Sequence, residues 1–200
     1  MGISLKKGQA LSLSKEVEGL SNIMVGLGWD VAKVTKKGLF GAITSHTPDI
    51  DCDASALLLD ENGKMIGRNS WVYFGNRTSD CGSVYHTGDN LTGEGDGDDE
   101  QILVDLNKVP ANVKEILFVV NIYSAYNRKQ DFGMIENAFM RIVDRKTNKE
   151  LANFNLTDNY AGKTAMIFGA LYRENGQWEF KSIGEGTTDG SLSEIRSRYL

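Results

Sequence analysis

Apolar residues in this chain come in short runs of four to seven, rich in Val, Ile, Phe and Tyr, with glycine-bearing polar stretches between them. That spacing fits strands joined by tight turns. The runs predict strands at Asn22 to Leu27, Ala54 to Leu59, Trp71 to Phe74, Gln101 to Leu106, Ile116 to Ile122, Ala138 to Val143, Leu151 to Leu156 and Trp178 to Ile183. Asp60-Glu61-Asn62-Gly63, Lys146-Thr147-Asn148-Lys149 and Glu174-Asn175-Gly176 carry hairpin chemistry. Thr164 to Arg173 stays open between a late strand and a short helix, because its apolar positions fit either period. No repeat, low-complexity tail or linker breaks the pattern. Residues 1–200 therefore predict a single domain, mainly β: a two-sheet antiparallel β-sandwich with long acidic loops at one end and few short helices.

Composition narrows the class. With 40% hydrophobic and 24% charged residues, the chain is globular, which excludes disorder, collagen and coiled coil. At 200 residues it is long enough to bury roughly 70% of its unfolded surface without disulfides or metal. Lys6, Lys7, Gly8 and Gln9 interrupt the stretch where a signal peptide would need apolar residues, and no segment approaches 18 apolar residues. Cys52 and Cys81 form neither a CxxC pair nor a disulfide framework. These features predict a cytoplasmic protein with no direct membrane insertion.

Charge changes the picture more. The net charge is -5, yet residues 76–100 alone hold Asp80, Asp89, Glu94, Asp96, Asp98, Asp99 and Glu100 against Arg77, a local charge of -6. The rest of the chain nets +1. Such a segment repels nucleic acid and anionic lipid and attracts cations. If consecutive strands are antiparallel, Asp30, Asp51, Asp53, Asn76 and the seven acids converge on one end of the sandwich. The connection there is about 25 residues long, far above the usual two to six.

Asp89-Asn90-Leu91-Thr92-Gly93-Glu94-Gly95-Asp96-Gly97-Asp98-Asp99-Glu100 alternates hard oxygen donors with glycines, the composition a calcium ion with six to eight oxygen ligands requires. Magnesium demands stricter octahedral geometry, and a solvated acidic turn is the plain alternative. The candidate metal ligands are Asp30, Asp51, Asp53, Asn76, Asp80, Asp89, Asn90, Glu94, Asp96, Asp98, Asp99 and Glu100, with calcium as the cofactor. An EF-hand is excluded: Asp49, Asp51 and Asp53 fall at positions one, three and five, but position six is Ala54 rather than glycine.

Enzyme motifs fail. Gly162-Lys163-Thr164 lacks the earlier glycine of a P-loop, Gly184-Glu185-Gly186 has no following βαβ unit, and there is no GxSxG elbow. Of the two histidines, His86 reads as ordering the acidic segment by hydrogen bonding rather than as a base for Cys81. Trp29, Trp71 and Trp178 read as core rather than as a stacking platform, since their surroundings are not basic.

Val25-Gly26-Leu27-Gly28-Trp29-Asp30, Asp51-Cys52-Asp53-Ala54-Ser55-Ala56 and above all Gly82 to Glu100, with the opening Gly2 to Gln9 and the late Thr164 to Tyr172, resemble the bacterial TerD family of tellurite-resistance and general stress proteins. The resemblance spans essentially the whole chain. It implies a two-sheet β-sandwich, calcium bound by the acidic loops, and a cytoplasmic role in resistance to tellurite, other chemical stress and phage. Two departures stand out. Cys81 precedes the Gly-Ser-Val step where members often carry an acid, and Ser124 follows Ile122-Tyr123 where they often carry Asp.

Two functions from different classes follow. The first is a non-enzymatic calcium-binding stress protein whose ion-ordered acidic surface recruits partners, namely other Ter-type stress proteins, in a membrane-associated complex and without nucleic acid. The alternative is a hydrolase or nucleotide-processing enzyme using the same acids around magnesium or manganese. A third idea, thiol chemistry, rests on Cys52 and Cys81 lying near the acidic end, where negative charge raises thiol pKa.

Overall fold

The computed structural model describes residues 2–32, 34–37, 43–46, 50–88 and 97–200. Two six-stranded sheets stack face to face. In chain order the strands are β1 (Ile3–Leu5), β2 (Ala10–Ser12), β3 (Asn22–Val31), β4 (Val34–Lys37), β5 (Ile43–His46), β6 (Cys52–Leu59), β7 (Trp71–Val72), β8 (Val84–His86), β9 (Glu100–Asp105), β10 (Glu115–Ile122), β11 (Ile135–Asp144), β12 (Lys149–Asn155), β13 (Ala165–Glu174) and β14 (Gln177–Thr187). The first sheet runs β1-β12-β11-β3-β9-β8, the second β2-β14-β13-β10-β6-β7, and β4 with β5 forms a separate ribbon. Among the described residues every pairing is antiparallel except that of β1 with β12.

Strand parity decides where each side chain goes. On β6, Cys52, Ala54, Ala56 and Leu58 enter the core between the sheets, while Leu57 and Leu59 join a second apolar cluster on the outer face of the second sheet. That outer cluster is covered by the C-terminal helix Leu192–Ser197, whose Ile195 is buried in it. With both faces covered, all eight residues of β6 are buried, which is why Ala56-Leu57-Leu58-Leu59 reads as a continuous apolar run. The open stretch Thr164 to Arg173 is a strand for the same reason: β13 lies between β10 and β14 with residues 165–171 buried.

The turns follow their chemistry. Asn175 and Gly176 both have positive φ (50° and 79°) and join β13 to β14 as a two-residue hairpin. Asn148 (φ 55°) serves the β11–β12 turn. The predicted strands all form, most of them longer than expected and Trp71 to Phe74 shorter, as the two-residue β7; the hydrophobic pattern misses β1, β2, β4, β5 and β8, three or four residues each and too short to show a period.

The long acidic connection differs from expectation in an instructive way. After β7 the chain does not stay at one end: it turns through Ser79 to Gly82 (φ 64°) and returns as β8, pairing with β9. Val84 and His86 point inward and Tyr85 outward, so a short amphipathic strand divides the segment. Arg77 staples this hairpin: Nε donates to the His86 carbonyl at 3.0 Å, and Nη2 donates to the Tyr85 hydroxyl at 2.7 Å and to the Thr87 carbonyl.

Gly169 lies where β13 slips register against both neighbours. A Cβ there would sit 2.8 Å from the Lys181 carbonyl oxygen and 2.8 Å from the Phe180 ring. Gly169→Ala should therefore destabilise the fold by about 1–3 kcal/mol, read as a lowered urea midpoint; an unchanged midpoint would mean that the bulge absorbs a methyl group.

Candidate metal site at the acidic end

The acidic segment re-enters the described structure at Gly97, in a backbone conformation with φ 121° that favours glycine. Asp98 then lies across β3 on the outer face of the first sheet, directly over Gly26. A Cβ at Gly26 would meet the Asp98 carboxylate at 2.3 Å, and one at Gly28 would meet the Gly97 carbonyl at 2.8 Å. The two glycines of Val25-Gly26-Leu27-Gly28 thus clear a track on β3 for residues 97 and 98. Arg141, paired with Gly26 on the adjoining β11, clamps the carboxylate: Nε to Oδ1 at 2.7 Å and Nη2 to Oδ2 at 2.9 Å. Gln101 Nε2 adds a bond to Oδ2 at 3.1 Å. A two-point arginine–carboxylate pair with the acid fully enclosed is among the stronger polar contacts available.

Asp99 follows and accepts the Trp29 backbone N–H at 2.7 Å. Burial holds its carboxyl above the usual range, the Trp29 N–H pulls it down, and the charges of Asp30 and Asp98 push it up again. Asp30, exposed at the end of β3, accepts from Asn137 Nδ2 at 2.8 Å. Glu100 turns inward. Its Oε2 accepts the Ala54 N–H from the opposite sheet at 2.5 Å and lies 3.3 Å from His86 Nε2. Because His86 Nδ1 accepts the Gly88 N–H at 3.1 Å, the ring proton is on Nε2 and is donated to Glu100. His86 therefore ties the acidic segment down, as its position in the sequence suggests.

The other predicted residues divide among faces. Asp53 and Asp51 share the parity that carries Leu57 to the outer face of the second sheet, and Asp53 is buried there beside Asn121. Asn76 lies past β7, its Nδ2 donating to the Trp71 carbonyl at 2.6 Å. Asp80 does not join the acidic end. It accepts from Asn69 Nδ2 at 2.7 Å and borders a cavity with Leu58, Ile66 and Pro110. Leu58 is five residues along β6 from Asp53, about 16 Å at the usual strand rise. The return of the chain through β8 carries Asp80 to that end. Asp89, Asn90, Glu94 and Asp96, with Asp49, lie outside the described residues.

The thiols part company in the same way. Cys52 is buried, and its pKa is raised well above the ordinary value by burial, then by Asp53, Asp51, Glu100 and Asp99. Cys81 sits beside Asp80 at the far end. Burial raises its pKa, but hydrogen bonds with the Ser79 and Ser83 hydroxyls outweigh that and lower it. The expectation that both thiols feel the acidic end is corrected for Cys81. Trp71 also departs from expectation: it stands on the outer face, stacked on Tyr73, whereas Trp29 and Trp178 are core.

Among the described residues no group of three or more His, Cys, Asp and Glu side chains forms a metal cage. Asp98 is taken up by Arg141, and Glu100 Oε2 by Ala54 and His86. Asp30 and Asp99 lie near enough for their charges to interact. Their donors are hard carboxylate oxygens, which fit calcium or magnesium and not a thiophilic ion. Sequence reasoning missed Arg141 and Asn137; an arginine within the apolar alternation of β11 is the signal that a cross-strand acid partner exists.

The Asp98–Arg141 clamp is testable by a double-mutant cycle with Asp98→Asn and Arg141→Met. Urea unfolding should give a coupling of roughly 0.5–3 kcal/mol, and additive losses would show that the clamp contributes nothing.

Comparison with known proteins agrees with the fold and the motifs. The TerD domain model matches residues 1–199. The chain is 53% identical to "Stress response protein SCP2" of Bacillus subtilis (strain 168) over the full length of both, and 44% identical to "Tellurium resistance protein TerD" of Serratia marcescens over 100% of this chain and 97% of that one. The solved structure of a homologue of telluride resistance protein (TerD), SCO6318 from Streptomyces coelicolor A3(2), superimposes with a TM-score of 0.63 at 20% identity, covering 88% of this chain and 98% of the other; it bears on the fold alone. The chain belongs to the TerD family.

Proposed function

We propose that this protein is a cytoplasmic stress-response protein contributing to resistance to tellurite and other chemical stress, and phage, and that it acts without catalysis through calcium bound at its acidic end. Two full-length relatives bear the names of a stress response protein and a tellurium resistance protein, which supports the first half. The observation that carries the second is the track on β3. Gly26, Gly28 and Arg141 seat Gly97 and Asp98 on β3, where an arginine neutralises Asp98, and Asp99 follows close enough to Asp30 for their charges to interact.

In this reading Asp30 and Asp99 join Asp89, Asn90, Glu94 and Asp96 as oxygen donors. Calcium removes their mutual repulsion and fixes the segment against the sheet. The ion-loaded end then serves as a surface for partner proteins, other Ter-type stress proteins among them. Asp98 and Glu100 act as anchors, and Asp80 plays no part.

Calorimetric titration of chelator-treated protein with calcium, and separately with magnesium, tests this directly. Calcium should bind selectively, and at 100 times its dissociation constant should stabilise the fold by about 2.7 kcal/mol per independent site. Asp30→Asn with Asp99→Asn should weaken calcium binding at least tenfold while the protein stays folded, whereas Asp80→Asn should leave it unchanged. Binding of neither ion, or equal losses from all three substitutions, would overturn the reading.

A further inference from the structure

On the outer face of the second sheet, beside the C-terminal helix, lies a cleft of about 450 Å³. Five aromatic rings wall it. Trp71 and Tyr73 are stacked with centroids 4.2 Å apart, Phe74 meets Tyr73 edge-on at 5.4 Å, and Tyr123 and Tyr126 stand opposite from the turn after β10. Three of these, Phe74, Tyr123 and Tyr126, are 41%, 50% and 61% exposed, so half of the six large exposed apolar side chains among the described residues meet in this one place.

The floor is polar. Asp53 and Asn121, opposite one another on β6 and β10, both line the cleft and both are more than nine-tenths buried. Among the described residues Asn121 Oδ1 has no hydrogen-bond partner, and neither has the hydroxyl of buried Ser55, two residues along β6 from Asp53. A buried carbonyl oxygen left unpaired is destabilising unless something donates to it. The site thus offers a carboxylate, an unpaired amide oxygen and the electron-rich faces of aromatic rings, and no Lys or Arg lines it. Two rings of the wall already attract guanidinium groups of this chain: Arg196 lies over Trp71 at 5.6 Å and Arg128 over Tyr123 at 5.2 Å.

We propose that this cleft binds a small organic cation, a metabolite carrying a guanidinium or alkylammonium group, with the charged head against Asp53 and Asn121 Oδ1 and its carbon chain between Trp71, Tyr73 and Tyr123. Carboxylate and amide oxygen accept the N–H donors, and the rings supply cation–π attraction. A volume of this size suits a metabolite rather than a bare metal ion. The cleft is separate from Asp30 and Asp99, which lie on the first sheet, so its occupancy does not depend on calcium.

Agmatine and spermidine are the probes, titrated calorimetrically into the full chain with and without calcium, with adenosine as a neutral aromatic comparison. Agmatine or spermidine should bind saturably in both conditions, and adenosine should not. Tyr123→Ala, at an exposed ring, should weaken cation binding roughly tenfold without lowering the melting temperature. Asn121→Leu, which removes the Oδ1 acceptor, should also weaken it. Absence of binding by both cations, equal or tighter binding of adenosine, or cation affinity unchanged by Tyr123→Ala would each overturn the proposal.

Discussion

Glu100 is a carboxylate that is almost entirely enclosed, and it joins the two sheets where the acidic segment enters the sandwich. A carboxylate in that position survives only if its oxygens are satisfied. Oε2 meets the Ala54 N–H of β6 and the Nε2 proton of His86 on β8. The Ala54 N–H matters in its turn: β7 pairs with β6 only at Ala56 and Leu57, so beyond it the backbone of β6 needs a substitute partner, and Glu100 supplies one. This one carboxylate thus ties the start of β6, the end of β8 and the return of the acidic segment together.

Just outside it, Asp98 is held by Arg141 over a glycine, so the segment is anchored twice within three residues, once between the sheets and once on the outer face of the first sheet. Neighbouring acids take different fates because Asp98 lies ahead of β9 on the outer face of the first sheet, and the inward alternation of β9 begins only at Glu100. Asp98 pairs with an arginine, Asp99 caps the Trp29 N–H beside another carboxylate, and Glu100 faces inward. A run of like charge that would otherwise repel itself is thereby divided among three environments. The divalent ion proposed here would act on Asp30 and Asp99, whose charges repel each other.

The two sheets also differ chemically. Asp30 and Asp99 belong to the first; Asp51 and Asp53 belong to the second, where Asp53 sits under aromatic rings rather than among carboxylates. One end of the sandwich therefore presents two surfaces of different character, one rich in hard oxygen donors and the other aromatic with a polar floor. Cys52 lies between them and is made unreactive by both burial and the surrounding negative charge.

What the sequence determined by itself is local. Apolar runs with β-branched and aromatic residues, Asn-Gly turns and buried continuous stretches such as Ala56 to Leu59 predict seven of the longer strands and the short β7, because periodicity and turn chemistry are written within a few residues. The Gly82 to Glu100 motif likewise marks the family without any structure. Long-range placement is another matter. Asp80 reads as one of a set with Asp98, yet a three-residue strand, too short to show a period, turns the chain and leaves it at the far end. Trp71 reads as core, yet the parity of an edge strand puts it on an outer face against Tyr73. Arg141 is distant in sequence from Asp98, and only the pairing of β11 with β3 brings its guanidinium over Gly26. The tertiary structure alone decides these, because the face and the end of a sandwich at which a side chain appears are set by strand register and pairing, and those are fixed by contacts between residues far apart in the chain.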